Sequence, residues 1–140
     1  MTKRAIICDI DGTVATHGNE RGHHEYEKVG GDRPNQTIID LVHILSQGYW
    51  IVFVSGRMEH CREITEDWLE THMGSWTRHC ELFMRPDGDH RQDTIVKREI
   101  HDRDLVPKYD IVCAIDDRNQ VVKMWRDMGI TCLQVAEGNF

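Results

Sequence analysis

The stretch AIICDIDGTVA, residues 5–15, leads an apolar segment directly into two aspartates that are separated by a single residue. Side chains at positions i and i+2 of a β-strand point to the same side, so we expect Asp9 and Asp11 to face one way. Two carboxylates this close repel each other unless a cation lies between them or one of them keeps its proton. The stretch therefore predicts a buried strand with crowded negative charge at its end.

Apolar runs and helical patterns alternate along the rest of the chain. The predicted strands are 4–10, 49–57, 80–84, 109–115 and 131–136, and the predicted helices are 34–48, 59–74, 93–102 and 119–129. This alternation indicates a parallel five-stranded sheet with helices on both faces. The polar, glycine-rich segment from about residue 14 to residue 34 predicts a long loop or small flap over the site. We therefore expect one α/β domain over residues 1–140.

Composition narrows the classes of protein to consider. The chain has 140 residues, a formal net charge of -7 and no apolar run of membrane-spanning length. The charge argues against non-specific nucleic-acid binding, although it leaves room for a local basic site. Five cysteines without a C-x-x-C pair favour free thiols in a reducing compartment. We expect a cytoplasmic protein with no membrane association.

Polar residues follow three of the predicted strands at the point where each strand ends. They are Asp9 and Asp11, then Ser55-Gly56-Arg57, then Asp116 and Asp117. Ligands of open parallel sheets bind beyond the carboxyl ends of the strands, so these residues are expected to meet at one crevice. Four carboxylates together are typical of a hard cation with oxygen ligands, such as Mg²⁺.

The remaining polar groups favour a phosphate as the partner of this cation. Ser55 and the backbone N–H groups around Gly56 can hold phosphate oxygens, and Lys97 on the third helix adds a compact positive charge. Asp9 could then attack phosphorus and form an aspartyl-phosphate.

DIDGTVA, VSGR, Lys97 and AIDDRNQV resemble, in order and spacing, the four motifs of the haloacid dehalogenase-like phosphohydrolases. The resemblance implies a Rossmann-like fold with Asp9 as nucleophile and Asp11 as general acid and base. It also implies that Asp9, the Asp11 carbonyl and Asp116 bind Mg²⁺ and that Asp117 completes the acidic cluster. Ser55 and Lys97 would bind the transferring phosphoryl group.

Longer stretches resemble the 3′-phosphatase domain of phage-type polynucleotide kinase/phosphatase. They are VSGR, RPDGDHRQDTIVKREI, AIDDRNQVVKMWRDMGI and TCLQVAEGNF. The resemblance implies Mg²⁺-dependent removal of 3′-phosphates, and of 2′,3′-cyclic phosphates as a further option, from DNA or RNA ends during repair. It adds to Ser55 and Gly56 a set of substrate contacts: Arg21 in the flap, Arg57, Arg85, Arg91 and Asp93.

The kinase half of that family is not expected here. The chain contains no G-x-x-x-x-G-K-[ST] motif, which cradles nucleotide phosphates in P-loop kinases. We therefore expect the phosphatase module alone, either as a stand-alone enzyme or as an excised domain. The oligomeric state is open, and a homo-oligomer is one option.

Two other functions compete with this hypothesis. A small-molecule phosphatase of the same superfamily, acting on nucleotides or sugar phosphates, would share every core residue. A phosphate-binding or receiver-type regulatory module would also use an aspartate cluster, but a receiver would lack the second carboxylate two residues after the first.

The histidines and Cys80 fit no zinc spacing.

Overall fold

The computed structural model describes residues 2–16 and 30–140 of the chain. The strands are β1 (Lys3–Cys8), β2 (Ala15–Thr16), β3 (Arg33–Pro34), β4 (Trp50–Met58), β5 (Leu82–Arg85), β6 (Tyr109–Asp116) and β7 (Cys132–Gln134). The α-helices are α1 (Gln36–Leu45), α2 (Arg62–Met73), α3 (Asp93–Ile100) and α4 (Asn119–Asp127).

Five of these strands form one parallel sheet in the order β5-β4-β1-β6-β7. Each of its strands overlaps a strand that the apolar runs predict, and the four α-helices lie within the predicted helical segments. Helix α3 continues into a π-helical turn at His101–Leu105. The predicted α/β fold with a five-stranded parallel sheet is confirmed.

Both faces of the sheet are covered, because side chains of β1 alternate between two hydrophobic clusters. Ile6 and Cys8 pack on the face covered by α1 and α2, where Ile39, Val42, Trp68 and Leu69 are buried. Ala5 and Ile7 pack on the opposite face against α3 and α4, where Val96, Ile100, Val121 and Trp125 are buried. A central strand that is apolar on both sides is typical of a parallel sheet between two helical layers.

The register of the sheet places three strand ends at one level. Cys8 of β1 pairs with Phe53 of β4 on one side and with Ile115 of β6 on the other. The residues that follow these positions therefore leave the same edge of the sheet. This edge is where the polar motifs of the sequence meet.

One detail differs from the sequence prediction. Strand β1 ends at Cys8 rather than at residue 10, because the next residues form a turn in which Thr13, Val14 and Ala15 donate to the Ile10 carbonyl. Strand alternation therefore does not extend to Asp11.

The ends of the predicted flap form a small antiparallel pair, with Ala15 opposite Pro34 and Thr16 opposite Arg33. Arg21, which was predicted as a substrate contact, falls in the sequence between β2 and β3 and outside the described residues. Over residues 2–16 and 30–140, no helix has both the length and the apolar character needed to cross a membrane. All five cysteines are described, and each is a free thiol.

Candidate active site

A cavity of 230 Å³ opens at the carboxyl edge of the sheet. Its walls include the four predicted carboxylates and Lys97, together with Gly56, Arg85 and Asp93. These side chains come from the ends of β1, β4, β5 and β6 and from the starts of α3 and α4. The structure therefore brings together residues that are more than a hundred positions apart in sequence.

Lys97 lies at the centre of this arrangement. Its Nζ donates to Asp9 Oδ1 at 2.8 Å and to Asp116 Oδ2 at 3.1 Å. The Lys97 side chain is 2% exposed, and Asp9 and Asp116 are buried as well. A lysine buried to this extent keeps its charge only with close anionic partners. Lys97 thus compensates part of the negative charge that crowds the site.

Burial and mutual repulsion shift the pKa values of this group of residues. Burial raises the pKa of Asp9 well above its usual value, and the nearby charge of Asp116 raises it further. Burial also raises the pKa of Asp117, again with a contribution from Asp116. For Lys97, burial favours a lower pKa, but Asp116 and Asp9 outweigh it and the pKa lies well above the usual value.

The third carboxylate of the cluster is Asp117. One oxygen from each of Asp9, Asp116 and Asp117 lies within 4.8 Å of the others, and all three side chains are buried. Gly12 leaves space for the Asp117 carboxylate, which a Cβ at this position would overlap. The φ of Gly12 is 82°, a backbone conformation that also favours glycine. Three clustered carboxylate oxygens are the hard donors that Mg²⁺ prefers. The chemistry of the donor set therefore fits a divalent cation.

Asp11 lines the same cavity but has a different partner from Asp9. Arg57 donates two hydrogen bonds to the Asp11 carboxylate, from Nε at 3.0 Å and from Nη2 at 2.7 Å. Arg57 is fully buried, and it also donates to Asp32 at 3.0 Å and to Thr65 at 3.1 Å. This two-point contact fixes the orientation of Asp11 more firmly than a single hydrogen bond would. Asp9 and Asp11 thus line one cavity, with Lys97 and Thr13 donating to Asp9 and Arg57 donating to Asp11.

Ser55 and Arg57 both belong to β4 and are joined by a hydrogen bond. Ser55 is fully buried, and its Oγ accepts a hydrogen bond from the Arg57 backbone N–H at 3.1 Å. The guanidinium of Arg57 is occupied by the carboxylates described above. Arg57 thus orients Asp11, and the substrate contacts predicted for Ser55 and Arg57 stay predictions.

Buried Arg85 pairs with partly buried Asp93 beside Gly56. Arg85 donates to Asp93 Oδ1 at 2.8 Å and to the Gly56 carbonyl at 2.8 Å. The approach is close enough that a Cβ on Gly56 would overlap the Asp93 carboxylate. Arg85 also donates to the backbone carbonyls of Asp89 and Arg91. Arg85 thus ties β4, β5 and the segment before α3 together at the rim of the cavity.

Arg91 lines a different cavity from the four predicted carboxylates. Its side chain is exposed and pairs with Asp89 at 2.8 Å and with Glu99 at 2.5 Å. It lines a second, larger cavity next to the first. The substrate contact predicted for Arg91 stays a prediction.

Several residues of the site are not singled out by the sequence. Thr13, which belongs to the DGT motif, donates from Oγ1 to Asp9 Oδ2 at 3.0 Å, and Asp32 anchors Arg57. Arg118 and Phe140 complete the wall of the cavity. The motif could have pointed to Thr13. Asp32 lies in a polar segment where an aspartate is unremarkable, so only the fold identifies it.

Comparisons with known proteins identify the family of this chain. The family model for the polynucleotide kinase PNKP phosphatase domain matches residues 3–140. A putative bifunctional polynucleotide kinase/RNA ligase of Autographa californica nuclear polyhedrosis virus is 34% identical over 129 residues, covering 91% of this chain and 18% of the viral protein.

Two solved structures of Pnkp1/Rnl/Hen1 complexes contain chains with a similar fold and sequence. A chain in the structure of a Pnkp1/Rnl/Hen1 complex has a TM-score of 0.90 and 34% identity, covering 99% of this chain and 48% of that one. A structure of the Pnkp1/Rnl/Hen1 RNA repair complex gives the same TM-score and identity, with 44% of that chain covered. The class C acid phosphatase from Bacillus anthracis with tungstate bound has a TM-score of 0.62 and 16% identity over 98% of this chain and 68% of its own, which shows a shared fold alone.

The chain spans less than half the length of the viral relative and of the chains in the two complexes. The family match, by contrast, extends over nearly all of its residues. The chain therefore belongs to the family of polynucleotide kinase PNKP phosphatase domains, within the haloacid dehalogenase-like proteins.

Proposed function

We propose that this protein is a Mg²⁺-dependent polynucleotide 3′-phosphatase that acts through an aspartyl-phosphate in nucleic-acid end repair. One observation carries the proposal: Asp9, Asp116 and Asp117 cluster around a buried Lys97 at the carboxyl edge of the sheet. A cation-binding carboxylate next to a fixed positive charge is suited to attack on a phosphoryl group. Residues 1–140 would act as one phosphatase domain.

Asp9 is the proposed nucleophile. A carboxylate oxygen of Asp9 attacks phosphorus, the bond from phosphorus to the 3′-oxygen breaks, and Asp11 gives its proton to that leaving oxygen. In the second step Asp11 takes a proton from water, which attacks phosphorus and releases inorganic phosphate and free Asp9. Arg57 orients Asp11 because it donates to both carboxylate oxygens, and this contact favours the ionised form that accepts the proton in the second step.

Lys97 and Thr13 prepare Asp9 for the attack. Each donates to one of its two oxygens, which fixes the plane of the carboxylate. The positive charge of Lys97 would stabilise the negative charge that gathers on the oxygens of the transferring phosphoryl group, which is where phosphoryl transfer needs stabilisation.

Asp9, Asp116 and Asp117 would hold the metal ion, together with the Asp11 carbonyl that the family resemblance implies. When bound, a divalent cation offsets carboxylate repulsion and draws negative charge from the phosphoryl oxygens. The cavity volume of 230 Å³ suits a phosphoryl group more than a whole nucleotide, because small-molecule sites usually occupy roughly 300–1,000 Å³.

The substrate class rests on the relatives. The similar viral protein is described as a putative polynucleotide kinase/RNA ligase, and the similar solved structures include an RNA repair complex. We therefore place the 3′ ends of RNA or DNA first among substrates, with 2′,3′-cyclic ends as a further option. Association with other repair proteins, a cytoplasmic location and the oligomeric state remain predictions for this chain.

A substrate panel tests the proposal. Phosphate release is measured from 3′-phosphorylated and 2′,3′-cyclic RNA and DNA oligonucleotides, a 5′-phosphorylated oligonucleotide, free nucleotides, a sugar phosphate and a generic phosphomonoester, each with Mg²⁺ and with EDTA. We expect the 3′-phosphorylated strands to react best, only with Mg²⁺, and not with the Asp9→Asn variant. Preferred hydrolysis of a free nucleotide or sugar phosphate would indicate a small-molecule phosphatase instead. Binding without release from any substrate would indicate a non-catalytic module.

A further inference from the structure

The chain segment at the end of β7 lies against the main chain of two aspartates of the acidic cluster. Asp116 of β6 pairs with Gln134 of β7, and the Val135 N–H donates to the Asp116 carbonyl at 3.1 Å. The Gln134 side chain donates from Nε2 to the Asp117 carbonyl at 3.0 Å. Residues 134–138 (the 134–138 segment) therefore contact the backbone at both carboxylates.

Asn119, the first residue of α4, joins the same segment at both of its ends. Asn119 Oδ1 accepts hydrogen bonds from Gln134 Nε2 at 2.7 Å and from the Gly138 N–H at 3.3 Å. The Asn119 N–H donates in return to the Gly138 carbonyl at 2.8 Å. One asparagine thus fixes the 134–138 segment relative to the start of α4.

Gly138 is in direct contact with the peptide that joins Asp117 to Arg118. A Cβ on Gly138 would lie 2.0 Å from the Asp117 carbonyl oxygen and 2.7 Å from Arg118 Cα. Both are backbone atoms, which cannot turn aside as the end of a flexible side chain can. Only glycine therefore fits at this buried position without a shift of the main chain next to Asp117.

The course of this main chain also sets the direction of the Asp116 carboxylate. Asp116 Oδ1 accepts from the backbone N–H groups of Asp117 at 2.9 Å and of Arg118 at 3.3 Å, while Oδ2 accepts from Lys97. Groups that orient the residues of a metal site affect its affinity for the ion. A shift of the backbone over residues 116–118 would therefore move both carboxylates of this corner of the site.

We propose that Gln134, Asn119 and Gly138 are positioning residues that set the affinity of the acidic cluster for Mg²⁺. They act by fixing the backbone at Asp116 and Asp117. The inference rests on the proposed function, which places a divalent cation at this cluster. Among the described residues, the cavity wall includes the two aspartates but none of these three, so the three act through the aspartates rather than on the substrate.

The first test measures Mg²⁺ binding by calorimetry, without substrate. Gln134→Met keeps the length of the side chain but loses the donor, and Asn119→Ala removes the acceptor. Both positions are exposed, so we expect these variants to fold. Each should raise the Kd for Mg²⁺ by about two- to tenfold, the worth of one hydrogen bond, and Gly138→Ala should raise it by about tenfold or more. Gln47→Met, at an exposed glutamine after α1, is the matched control and should bind like the wild-type protein.

The double variant shows whether the two exposed residues act through one contact. Because Gln134 Nε2 and Asn119 Oδ1 bond each other, the combined rise in Kd should be smaller than the product of the single effects. Fully multiplicative effects would overturn the shared role. Thermal unfolding in EDTA is measured in parallel. A lower Tm with an unchanged Kd for Mg²⁺ would show a purely structural role and overturn the inference as well.

The second test uses the reciprocity of coupled equilibria. If the 134–138 segment raises the affinity for Mg²⁺, then bound Mg²⁺ must stabilise the contacts of the segment to the same extent. Adding Mg²⁺ to the wild-type protein should slow hydrogen exchange of the Asn119 and Val135 amides. The Gly48 amide, which bonds to Leu45 in the turn after α1, is the control and should exchange at the same rate. Exchange at Asn119 and Val135 that does not respond to Mg²⁺ would contradict the coupling.

These readouts separate the inference from the proposed function. If Mg²⁺ affinity depends on Gln134 and Asn119 but no substrate releases phosphate, the proposed phosphatase function fails and the positioning role stands. If a 3′-phosphorylated oligonucleotide is hydrolysed with Mg²⁺ but both variants bind Mg²⁺ like the wild-type protein, the function stands and the positioning role is wrong.

Discussion

Lys97 Nζ lies 2.8 Å from Asp9 Oδ1, so the proposed nucleophile is in direct contact with a buried positive charge. The same ammonium group reaches Asp116 at 3.1 Å and joins the ends of β1 and β6 to α3. A charge this deeply buried is stabilised only by its partners, and removing one member exposes the others to the full cost of desolvation. Lys97 is therefore expected to matter for stability as well as for catalysis.

Replacing Lys97 with Met should abolish measurable turnover and lower the free energy of unfolding by about 3–5 kcal/mol in EDTA. The reason is that Asp9 and Asp116 lose the cation that compensates them. Adding Mg²⁺ should restore more stability to Lys97→Met than it adds to the wild-type protein, because ligands stabilise the state that binds them. Denaturant unfolding with and without Mg²⁺ measures this, and Lys123→Met is the control at an exposed position. Equal gains from Mg²⁺ in both proteins would contradict the assignment.

Arg57 should act on the rate rather than on substrate binding. Arg57→Lys keeps the positive charge but cannot donate the two parallel hydrogen bonds to Asp11. We therefore expect kcat to fall by about tenfold or more, with little change in KM. Asp11→Asn removes the proton-transfer group itself and should cost about 10²–10⁴-fold in kcat. Steady-state kinetics on a 3′-phosphorylated oligonucleotide separate the two parameters. A rise in KM with unchanged kcat would instead favour the direct substrate contact that the family resemblance implies for Arg57.

Gly56 should not tolerate a methyl group. Gly56→Ala places a Cβ against the Asp93 carboxylate, which disturbs its pair with Arg85 and should destabilise the fold by about 1–3 kcal/mol while lowering activity. The control is Gly48→Ala, since nothing lies within 4 Å of a Cβ built at Gly48. Thermal unfolding and kcat/KM are measured for both variants. Wild-type behaviour of Gly56→Ala would show that Asp93 is free to move.

Asp117 should tune the affinity for the metal ion. Asp117→Asn keeps the shape of the side chain but removes one charge from the three-carboxylate cluster. The Mg²⁺ concentration that gives half-maximal activity should therefore rise by about tenfold or more. Activity is titrated with Mg²⁺, and direct binding is followed by calorimetry. Asp110→Asn, at an exposed position near the start of β6, is the control and should titrate like the wild-type protein. An unchanged Mg²⁺ requirement in Asp117→Asn would remove Asp117 from the metal site.

Much of the architecture could be predicted because it depends on local pattern. The apolar runs around Ile6, Phe53 and Ile115 identify central strands, and a parallel sheet necessarily brings their carboxyl ends together. The convergence of Asp9 with Asp116 follows from that topology. These inferences need only periodicity and the handedness of βαβ connections.

The pairing within the site could not be predicted in the same way. Arg57 binds Asp11 and Asp32, which precede it by 46 and 25 residues, and nothing local marks either as its partner. The break in strand alternation after Cys8 depends on a turn centred on the Ile10 carbonyl. Arg118 lines two cavities that exist only in the folded chain.

The most direct test of the central claim follows the phosphoryl group itself. An oligonucleotide radiolabelled in its 3′-phosphate is mixed with excess protein and Mg²⁺, the reaction is quenched in acid within milliseconds to seconds, and protein-bound label is located by peptide mapping. We predict that label appears transiently on the peptide containing Asp9, before free phosphate, and is missing from Asp9→Asn. Direct passage of label into inorganic phosphate without a protein-bound stage, together with substantial turnover by Asp9→Asn, would contradict the account.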